Sequence, residues 1–295
     1  MLKEEQILFS VIVPLYNKQA EIKSTVNSVL NQTCEDFELI VVNDGSTDNS
    51  LTVLNEIEHS KLKVISKVNE GVSIARNTGI FAATGKYIAL LDGDDIWHPD
   101  YLQEIKSLID EFDNCKIFGT NYTVSDNTDI IYDQPVHKLI ANYFELAMHM
   151  PFLTSSSVVI ERACFNDHMQ FKSKFTHGED LDLWARLIKE YIHIGYSEKK
   201  LVYYVHSATN RACLVLPKPE RHFAYYFNIN EETQPEVKRY YLQQVVLIMW
   251  IYLRNLKLNY FMLFLMKHKK IATQIFYGII KNIFHNEYKI AIKTK

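Results

Sequence analysis

Three aspartates lie within four residues, at Asp92, Asp94 and Asp95, directly after the uncharged run YIALL. Carboxylates placed so close together repel one another unless solvent or a bound cation offsets their charge. A D-x-D pair supplies the oxygen ligands that Mg²⁺ or Mn²⁺ prefers, and such an ion keeps some waters and takes further ligands from substrate phosphates. These residues therefore predict a metal-assisted site for a nucleotide diphosphate.

Glycine-rich loops that hold phosphates are missing from the sequence. Neither G-x-G-x-x-G nor G-x-x-x-x-G-K-[ST] occurs in the 295 residues, which excludes the dinucleotide fingerprint and the Walker loop. A cation must therefore neutralise more of the charge of a bound diphosphate.

Strands and helices alternate through the first hundred residues. Apolar β-branched runs predict the strands, and apolar residues at helical spacing predict the helices between them. The predicted strands are FSVIVPLYN, FELIVVND, KLKVISK and YIALLD, and the predicted helices are AEIKSTVNSVLNQT, a segment starting near Asp48, and VSIARNTGIFAATG with Gly85 as its stop. Such alternation implies right-handed crossovers, so we expect an α/β fold with a mostly parallel sheet flanked by helices.

Polar clusters follow three of these strands, at Asp44, at residues 69–71 and at residues 92–95. In open parallel sheets, ligands bind beyond the carboxyl ends of the strands. Any one cluster is also typical of a solvated loop, but three at one edge of a sheet favour a shared cleft.

The later half of the sequence is less regular. LTSSSVVIE and KLVYYVH predict strands, and GEDLDLWARLIKEY predicts an amphipathic helix. After Pro217 and Pro219 the sequence changes to long, aromatic-rich helical segments.

The segments SVIVPLYN, VVNDGSTDNS, NEGVSIARNTGI, LLDGDD and GEDLDLW occur in the order found in family 2 glycosyltransferases, and the resemblance covers about residues 8–210. Each motif alone is weak, whereas five in register are specific. The resemblance implies the GT-A fold, with a catalytic domain over residues 1–215 and a helical, basic and aromatic extension over residues 216–295.

The resemblance also implies a nucleotide site. Its predicted members are Pro14, Leu15, Tyr16, Asp44, Gly71, Arg76, Asp92 and Gly93. In the family the carboxylate at the position of Asp44 accepts the N–H of the base. Arg76 has two open interpretations, support of the cleft or diphosphate and an ion pair on the helix surface.

The metal, Mn²⁺ or Mg²⁺, is implied at Asp94, with Asp92 lying toward the ribose as a further candidate ligand and Asp95 extending the motif. His206 resembles a family position where a histidine completes the metal shell, since neutral imidazole can bind Mn²⁺. An ordinary hydrogen-bonded histidine at a strand end is the alternative. Arg211 is a candidate clamp over the diphosphate.

Asp180 aligns with the residue proposed in the family as general base, and Glu179 is the competing candidate. An inverting transfer is one in-line displacement in which a carboxylate takes the proton of the acceptor hydroxyl. Acids in the first turn of a helix also complement its dipole, which is the structural alternative for this pair. Trp184, one turn further, is either an acceptor contact or a core residue.

The predicted function is an inverting, metal-dependent transfer of a sugar from a nucleotide diphosphate donor, UDP-linked by preference, to a glycan or lipid-linked glycan in surface polysaccharide assembly. Two alternatives stay open: a nucleotidyltransferase that makes activated sugars, and a catalytically silent subunit that binds nucleotide sugars. The sequence does not reveal the sugar, the acceptor or the linkage.

Charge divides the chain unequally. From Lys238 onward there are nine lysines and two arginines against one acid, although the whole chain carries a net charge of −3. The longest uncharged run there, YYLQQVVLIMWIYL, is shorter than the roughly 20 residues of a spanning helix. Basic and aromatic residues together predict helices that lie on an anionic membrane surface, or that pack on the catalytic domain or a second copy of the chain.

The remaining composition indicates a globular cytoplasmic protein, peripheral on the inner membrane face if the tail binds there. The amino-terminal residues are too polar for a signal peptide. Four scattered cysteines without a C-x-x-C pair predict neither a zinc site nor a disulfide framework. We expect no nucleic-acid partner.

Overall fold

The computed structural model describes residues 7–124, 136–149, 152–205 and 215–285, with side chains as far as residue 279. His206, Arg211 and Cys213 lie outside the described residues.

The amino-terminal half builds a parallel sheet with helices between its strands. Its elements are β1 (Phe9–Leu15), α1 (Ile22–Leu30), β2 (Phe37–Asp44), α2 (Ser50–Asn55), β3 (Leu62–Lys67), α3 (Val72–Ala82) and β4 (Tyr87–Leu90). The order β3-β2-β1-β4 is parallel throughout. All four carboxyl ends therefore lie at one edge of the sheet, where the predicted polar clusters follow them.

Helix α3 packs unusually close to this sheet. A Cβ atom added to Gly79 would lie 2.4 Å from the Ile12 Cγ2 atom on β1. Such a contact is far inside van der Waals distance, so only glycine allows this approach. The close packing fixes the height of α3 above the sheet and, with it, the position of Arg76.

The later half extends the same sheet with mixed strand directions. Its elements are β5 (Ile96–Trp97), α4 (Tyr101–Glu111), β6 (Ile117–Thr123), β7 (His137–Ile140), α5 (Tyr143–Ala147), β8 (Val158–Glu161), α6 (Glu179–Tyr191) and β9 (Ile194–Tyr203). Strand β8 runs antiparallel between β4 and β6, and β9 pairs parallel with β6 but antiparallel with β5 and β7.

Two predicted strands differ in extent from the observed ones. The serines of LTSSSVVIE form a 3₁₀ turn at Ser155–Ser157, and only Val158–Glu161 is strand. Thr154 and Ser157 form a reciprocal capping box, which satisfies backbone groups that a strand would pair with a neighbour. Strand β9 begins at Ile194, well before the predicted KLVYYVH.

The fold class is confirmed as α/β. The described residues form one nine-stranded sheet in the order β3-β2-β1-β4-β8-β6-β9-β5, with β7 on β9. Both faces of the sheet are apolar: Ile12, Ile40 and Leu90 belong to one buried cluster, and Val11 and Val41 to the other. The fully parallel part is the amino-terminal half.

Residues 215–285 contain short 3₁₀ turns at Pro219–Arg221 and Phe223–Tyr226, followed by α7 (Pro235–Arg254), α8 (Leu258–Lys267) and α9 (Ala272–His285). These helices share an apolar cluster of their own, centred on Met249, Tyr252 and Phe264. Within the described ranges, none of the helices combines the length and apolarity needed to cross a bilayer. The domain division at residue 215 stays a prediction.

Candidate functional site

A cavity of about 550 Å³ opens at the carboxyl edge of the parallel strands. It brings together residues that are far apart in the sequence. The predicted site residues along its walls are Pro14, Leu15, Tyr16, Asp44, Gly71, Arg76, Asp92, Gly93, Asp94, Glu179 and Asp180. The expected convergence of three strand ends on one cleft is present, and α6 closes the opposite side.

Asp44 connects the end of β2 to the start of α3. Its Oδ1 atom accepts the N–H of Glu70 at 3.0 Å, and its Oδ2 atom accepts the N–H of Gly71 at 2.7 Å. Lys67 Nζ lies 3.0 Å from the same Oδ1 atom. Gly71 has a φ of +95°, which a side chain would disfavour. The carboxylate of Asp44 thus shapes the loop before α3 as well as lining the cavity.

Arg76 joins two carboxylates from opposite walls. Its Nη2 atom lies 2.6 Å from Asp92 Oδ1, and its Nη1 atom lies 2.9 Å from Glu179 Oε1. The residue is 3% exposed, and its guanidinium lies 5.0 Å from the centroid of the Phe171 ring. Burial opposes its charge, but attraction to Asp92 and Glu179 outweighs burial and raises the pKa of Arg76. Arg76 is therefore buried and connects the two walls of the cleft, and its ion pairs do not lie on the helix surface.

Asp94, the second aspartate of the D-x-D pair, also lines the cavity. Its Oδ2 atom lies 2.7 Å from Nζ of Lys18, a residue in the loop between β1 and α1. Sequence reasoning missed Lys18, whose one signal is its place directly after the predicted turn. Among the described residues, no three His, Cys, Asp or Glu side chains form a group that could hold a metal ion.

The side chain of Asp95 has different hydrogen-bond partners from those of Asp92 and Asp94. Its Oδ2 atom accepts the Ser156 hydroxyl at 2.5 Å, and its Oδ1 atom accepts the N–H of Val205 at 3.2 Å. Burial, and then repulsion by Asp92, raises the pKa of Asp95 well above its ordinary value. Asp95 therefore anchors the segment after β9 to the D-x-D loop, immediately before the position of His206.

Asp180 and Glu179 begin α6 but have different surroundings. Glu179 is held by Arg76, whereas Asp180 Oδ1 accepts the N–H of Leu181 at 2.8 Å. Burial, and then the charge of Glu179, raise the pKa of Asp180 to about 7, although Arg76 opposes the shift. A carboxylate with such a pKa is suited to accept a proton near neutral pH.

Gly178, directly before α6, sets the position of Glu179 and Asp180. Its φ is +71°, and an added Cβ atom would lie 2.3 Å from Cδ1 of Phe223. Phe223 belongs to the carboxyl-terminal cluster, so that cluster sets the position of the first turn of α6.

Trp184, for which the sequence left an acceptor contact and a core position open, is not among the residues that line the cavity. It is 1% exposed and packs edge-on against Phe171 at 6.2 Å in the apolar cluster beneath the site. Its spacing with Leu187 and Ile188 places it on the buried face of α6. The alternative interpretation as a core residue fits this structure.

The carboxyl-terminal extension also lines the cavity, which the sequence did not indicate. Arg221 reaches the wall from its 3₁₀ turn, and its carbonyl accepts the N–H of Thr176 at 3.0 Å. His177 and His222 pair as an isolated β-bridge beside it. This wall is far along the chain from the predicted nucleotide residues and is formed by Ser173, Phe175, Thr176, His177, Gly178 and Arg221.

Comparisons with known proteins agree with this geometry. The family model described as Glycosyl transferase family 2 matches residues 10–168. The chain is 32% identical over 189 residues, 63% of its length and 72% of the other protein, to the UDP-Glc:alpha-D-GlcNAc-diphosphoundecaprenol beta-1,3-glucosyltransferase WfgD of Escherichia coli. It is 28% identical over 261 residues, 81% of its length and 75% of the other, to an uncharacterized glycosyltransferase of Haemophilus influenzae.

Solved structures share the fold. TarS 1-349 of S. aureus in complex with UDP-GlcNAc aligns with a TM-score of 0.65 at 18% identity, over 96% of this chain and 93% of that one. The mannosyltransferase PcManGT from Pyrobaculum calidifontis, in complex with GDP-Man and Mn²⁺, aligns with a TM-score of 0.61 at 14% identity, over 98% and 85%. At these identities the likeness concerns the fold alone.

Proposed function

The chain belongs to glycosyltransferase family 2, and we propose that it moves a sugar from a UDP-linked donor to a hydroxyl of a glycan or lipid-linked glycan by a single inverting displacement. The observation that carries this proposal is the arrangement of one cavity. Asp92 and Asp94 lie on its sheet side, and Asp180, with a pKa raised to about 7, lies on its α6 side.

The donor nucleotide is proposed to lie along the strand ends. Residues 14–16, Asp44 at the end of β2 and Gly71 just before α3 line this part of the cavity, and the base and ribose would lie against them. The diphosphate then lies near Asp92 and Gly93. WfgD, which is 32% identical to this chain over 189 residues, is a UDP-Glc-dependent glucosyltransferase by name, which supports a UDP-sugar donor here.

A divalent cation, Mn²⁺ or Mg²⁺, fits the chemistry of the carboxylates at this end. Asp94 and Asp92 each contact a cationic side chain, Lys18 or Arg76, so this part of the cavity already stabilises positive charge. Two carboxylates suffice for an ion that takes its other ligands from phosphates and water. Asp94, with Asp92 and His206 as further candidate ligands, would hold it, and the ion would offset the charge of the leaving diphosphate.

Asp180 is proposed to take the proton of the attacking hydroxyl. Its neighbour Glu179 is less suited, because Arg76 Nη1 lies 2.9 Å from its Oε1 atom and holds that side chain in an ion pair. Displacement at the anomeric carbon then inverts its configuration, without a covalent intermediate on the protein.

Incubation with a panel of nucleotide sugars and Mn²⁺ tests the proposal. We expect slow donor hydrolysis that releases UDP from one UDP-sugar in the panel. Formation of a nucleoside triphosphate from added pyrophosphate would instead support the nucleotidyltransferase alternative. Tight UDP-sugar binding with neither hydrolysis nor transfer would support the silent binding subunit.

Asp94→Asn should weaken binding of UDP in the presence of Mn²⁺ by about tenfold or more, because a neutral amide leaves the diphosphate charge poorly compensated. Calorimetric titration with and without Mn²⁺ measures the effect, and the gap between the two conditions should shrink. Asp110→Asn, an aspartate on α4 away from the cavity, is the control. Equal metal-dependent affinity in Asp94→Asn and the wild type would remove Asp94 from the metal site.

Helix α8 presents a second feature, an apolar face toward solvent. Leu258, Met262 and Met266 recur every four residues and are all exposed, while Phe261 and Phe264 are buried on the other side. Lysines flank this face at Lys257, Lys269 and Lys270. Exposed apolar side chains rimmed by lysines are complementary to an anionic bilayer surface, so we propose that this face binds the membrane on which a lipid-linked acceptor lies.

Met266→Ser should reduce co-sedimentation with anionic vesicles several-fold at low salt. Met266 is 67% exposed, and Phe81→Ser is the matched control because Phe81, on α3, is 63% exposed. Binding of the wild type should weaken at high salt, since screening shortens the reach of surface charges. Failure of the wild type to bind anionic vesicles at low salt would contradict the proposal, and sedimentation of the wild type as a dimer that Met266→Ser dissociates would assign the face to a second copy.

A further inference from the structure

The segment FKSKF, residues 171–175, carries two lysines between two buried phenylalanines. Phe171 and Phe175 point inward, so the lysines lie on the outer side, next to the wall of the cavity that Ser173 and Phe175 form. The donor site as proposed makes no use of these lysines.

Two adjacent tyrosine rings lie next to this segment, and each has a lysine ammonium group over it. Lys174 Nζ lies 3.6 Å from the centroid of the Tyr226 ring, and Lys267 Nζ lies 5.6 Å from that of Tyr225. The two rings are in edge contact at 5.4 Å. Ammonium groups over aromatic faces are attracted by the ring quadrupole, so the pair of rings places one lysine of the catalytic domain beside one lysine of α8.

Among the described residues, neither Lys174 nor Lys267 forms an ion pair, and neither does Arg221 on the cavity wall. Asp182, the nearby acid, is bound by Lys172 at 3.0 Å and by Arg186 at 2.7 Å. Burial, and then repulsion by Lys172, lowers the pKa of Lys174; attraction to Asp182 offsets part of this effect, and Lys267 adds a smaller repulsion. A bound anion would relieve it.

We propose that Lys174, Lys267 and Arg221 form a subsite for a phosphate group of the acceptor. The inference rests on the proposed function, because it takes the side of the cavity near Asp180 as the acceptor side. Arg221 is connected to the segment of Lys174 through the backbone, because its carbonyl accepts the N–H of Thr176, two residues after Lys174. The ring that holds Lys174 belongs to Tyr226, whose hydroxyl donates to the carbonyl of Glu220. Arg221 lines the cavity and the lysines lie outside it, so the proposed phosphate would leave the attached sugar inside. The exposed apolar face of α8 begins next to Lys267, at Met266. In an acceptor whose sugar is linked through phosphate to a lipid, the sugar would lie in the cavity, the phosphate at the cationic side chains and the lipid along the apolar face of α8.

Titration with geranyl diphosphate, in the absence of metal and donor, tests the subsite. The wild type should bind it, and geraniol, which lacks the phosphates, should not compete. The double variant Lys174→Gln/Lys267→Gln keeps much of each side-chain stem but removes both charges, and we expect at least tenfold weaker binding. Lys174→Arg/Lys267→Arg should keep most of the affinity, because arginine also carries charge over an aromatic ring.

A matched control removes the same charge nearby. Lys269 and Lys270 lie just beyond α8. The affinity of Lys269→Gln/Lys270→Gln for geranyl diphosphate should stay within twofold of the wild-type affinity, although this variant should bind phosphatidylglycerol vesicles more weakly. Equal losses in both double variants would assign the effect to general attraction by the basic tail and overturn the proposal. Absence of binding to the wild type, or equal binding of geraniol, would overturn it as well.

Two further measurements separate this proposal from the proposed function. Thermal midpoints show whether each variant folds, and the single variant Lys174→Gln replaces the double one if that unfolds. UDP binding with Mn²⁺ should be unchanged in Lys174→Gln/Lys267→Gln, whereas its loss would assign the lysines to the donor site. UDP release from a donor sugar tests the transferase proposal in a separate assay that contains no acceptor phosphate.

Discussion

Asp180→Asn should retain donor binding and lose sugar transfer by about 10²-fold or more, the scale of general-base catalysis. The asparagine has nearly the same shape, so the cavity and the Arg76 ion pairs should persist. It cannot accept the proton of the acceptor hydroxyl at neutral pH. Initial transfer rates, together with calorimetric titration of UDP and Mn²⁺, measure the two effects separately.

The pH dependence gives this prediction a second readout. Because burial and Glu179 raise the pKa of Asp180 to about 7, the wild-type rate should rise as the pH increases through about 7. The base works only when it is deprotonated, so activity is lost on the acid side. This fall in rate on the acid side is the acid limb of the pH–rate profile, and the residual rate of Asp180→Asn should not show it.

Asp180 should also lower stability as it ionises. A carboxyl group whose folded pKa is raised binds its proton more tightly in the folded state, so its contribution to stability falls as the pH rises from about 4 to about 7. Asp180→Asn removes this cost, and its thermal midpoint at pH 8 should exceed that of the wild type. Loss of activity combined with gained stability is the pattern expected of a strained catalytic group.

Glu179→Gln is the control for these experiments, since it alters the neighbouring carboxylate in the same turn of α6. It should keep the acid limb, moved to lower pH because one charge that raises the pKa of Asp180 is gone. If Glu179→Gln loses the limb while Asp180→Asn keeps it, the base is Glu179.

The sequence predicted the parts of the site that depend on strand ends. Asp44 and Asp92 follow apolar runs, and parallel strands bring their carboxyl ends to one edge of the sheet. The cavity could therefore be expected from the sequence alone. The five ordered motifs added the α6 wall, because GEDLDLW resembles a family segment even though no strand end precedes it.

Other features depend on packing that local patterns do not encode. The helical spacing of Trp184 does not say whether its face of α6 meets the cavity or the core. In the structure the sheet packs against that face, so Trp184 is a core residue. Arg221 lies on the cavity wall, where its carbonyl accepts the N–H of Thr176, a contact over 45 positions of the sequence. Glu179 and Asp180 are adjacent acids in the sequence, and Arg76 distinguishes them in space.

Arg76→Met should have the largest effect on stability, lowering the free energy of unfolding by about 2 kcal/mol. Breaking a buried ion pair by removing one partner usually costs about 3–5 kcal/mol, and the smaller value applies because the Asp92 side chain is 30% exposed. Arg76 also lowers the pKa of Asp180, so the acid limb of any remaining activity should move to higher pH. Urea unfolding at pH 8 and the pH–rate profile measure the two effects.

Two companion variants separate charge from geometry at Arg76. Arg76→Lys keeps the charge but cannot contact Asp92 and Glu179 with two separate nitrogens of one planar group, so its stability should lie between those of the wild type and Arg76→Met. Adding Glu179→Gln to Arg76→Met removes one of the carboxylates left without its partner and should restore part of the lost stability, as coupled neighbours do in a double-mutant cycle. If the double variant is instead less stable than Arg76→Met, and the acid limb stays near pH 7 in Arg76→Met, then Arg76 does not hold the two walls together through these charges.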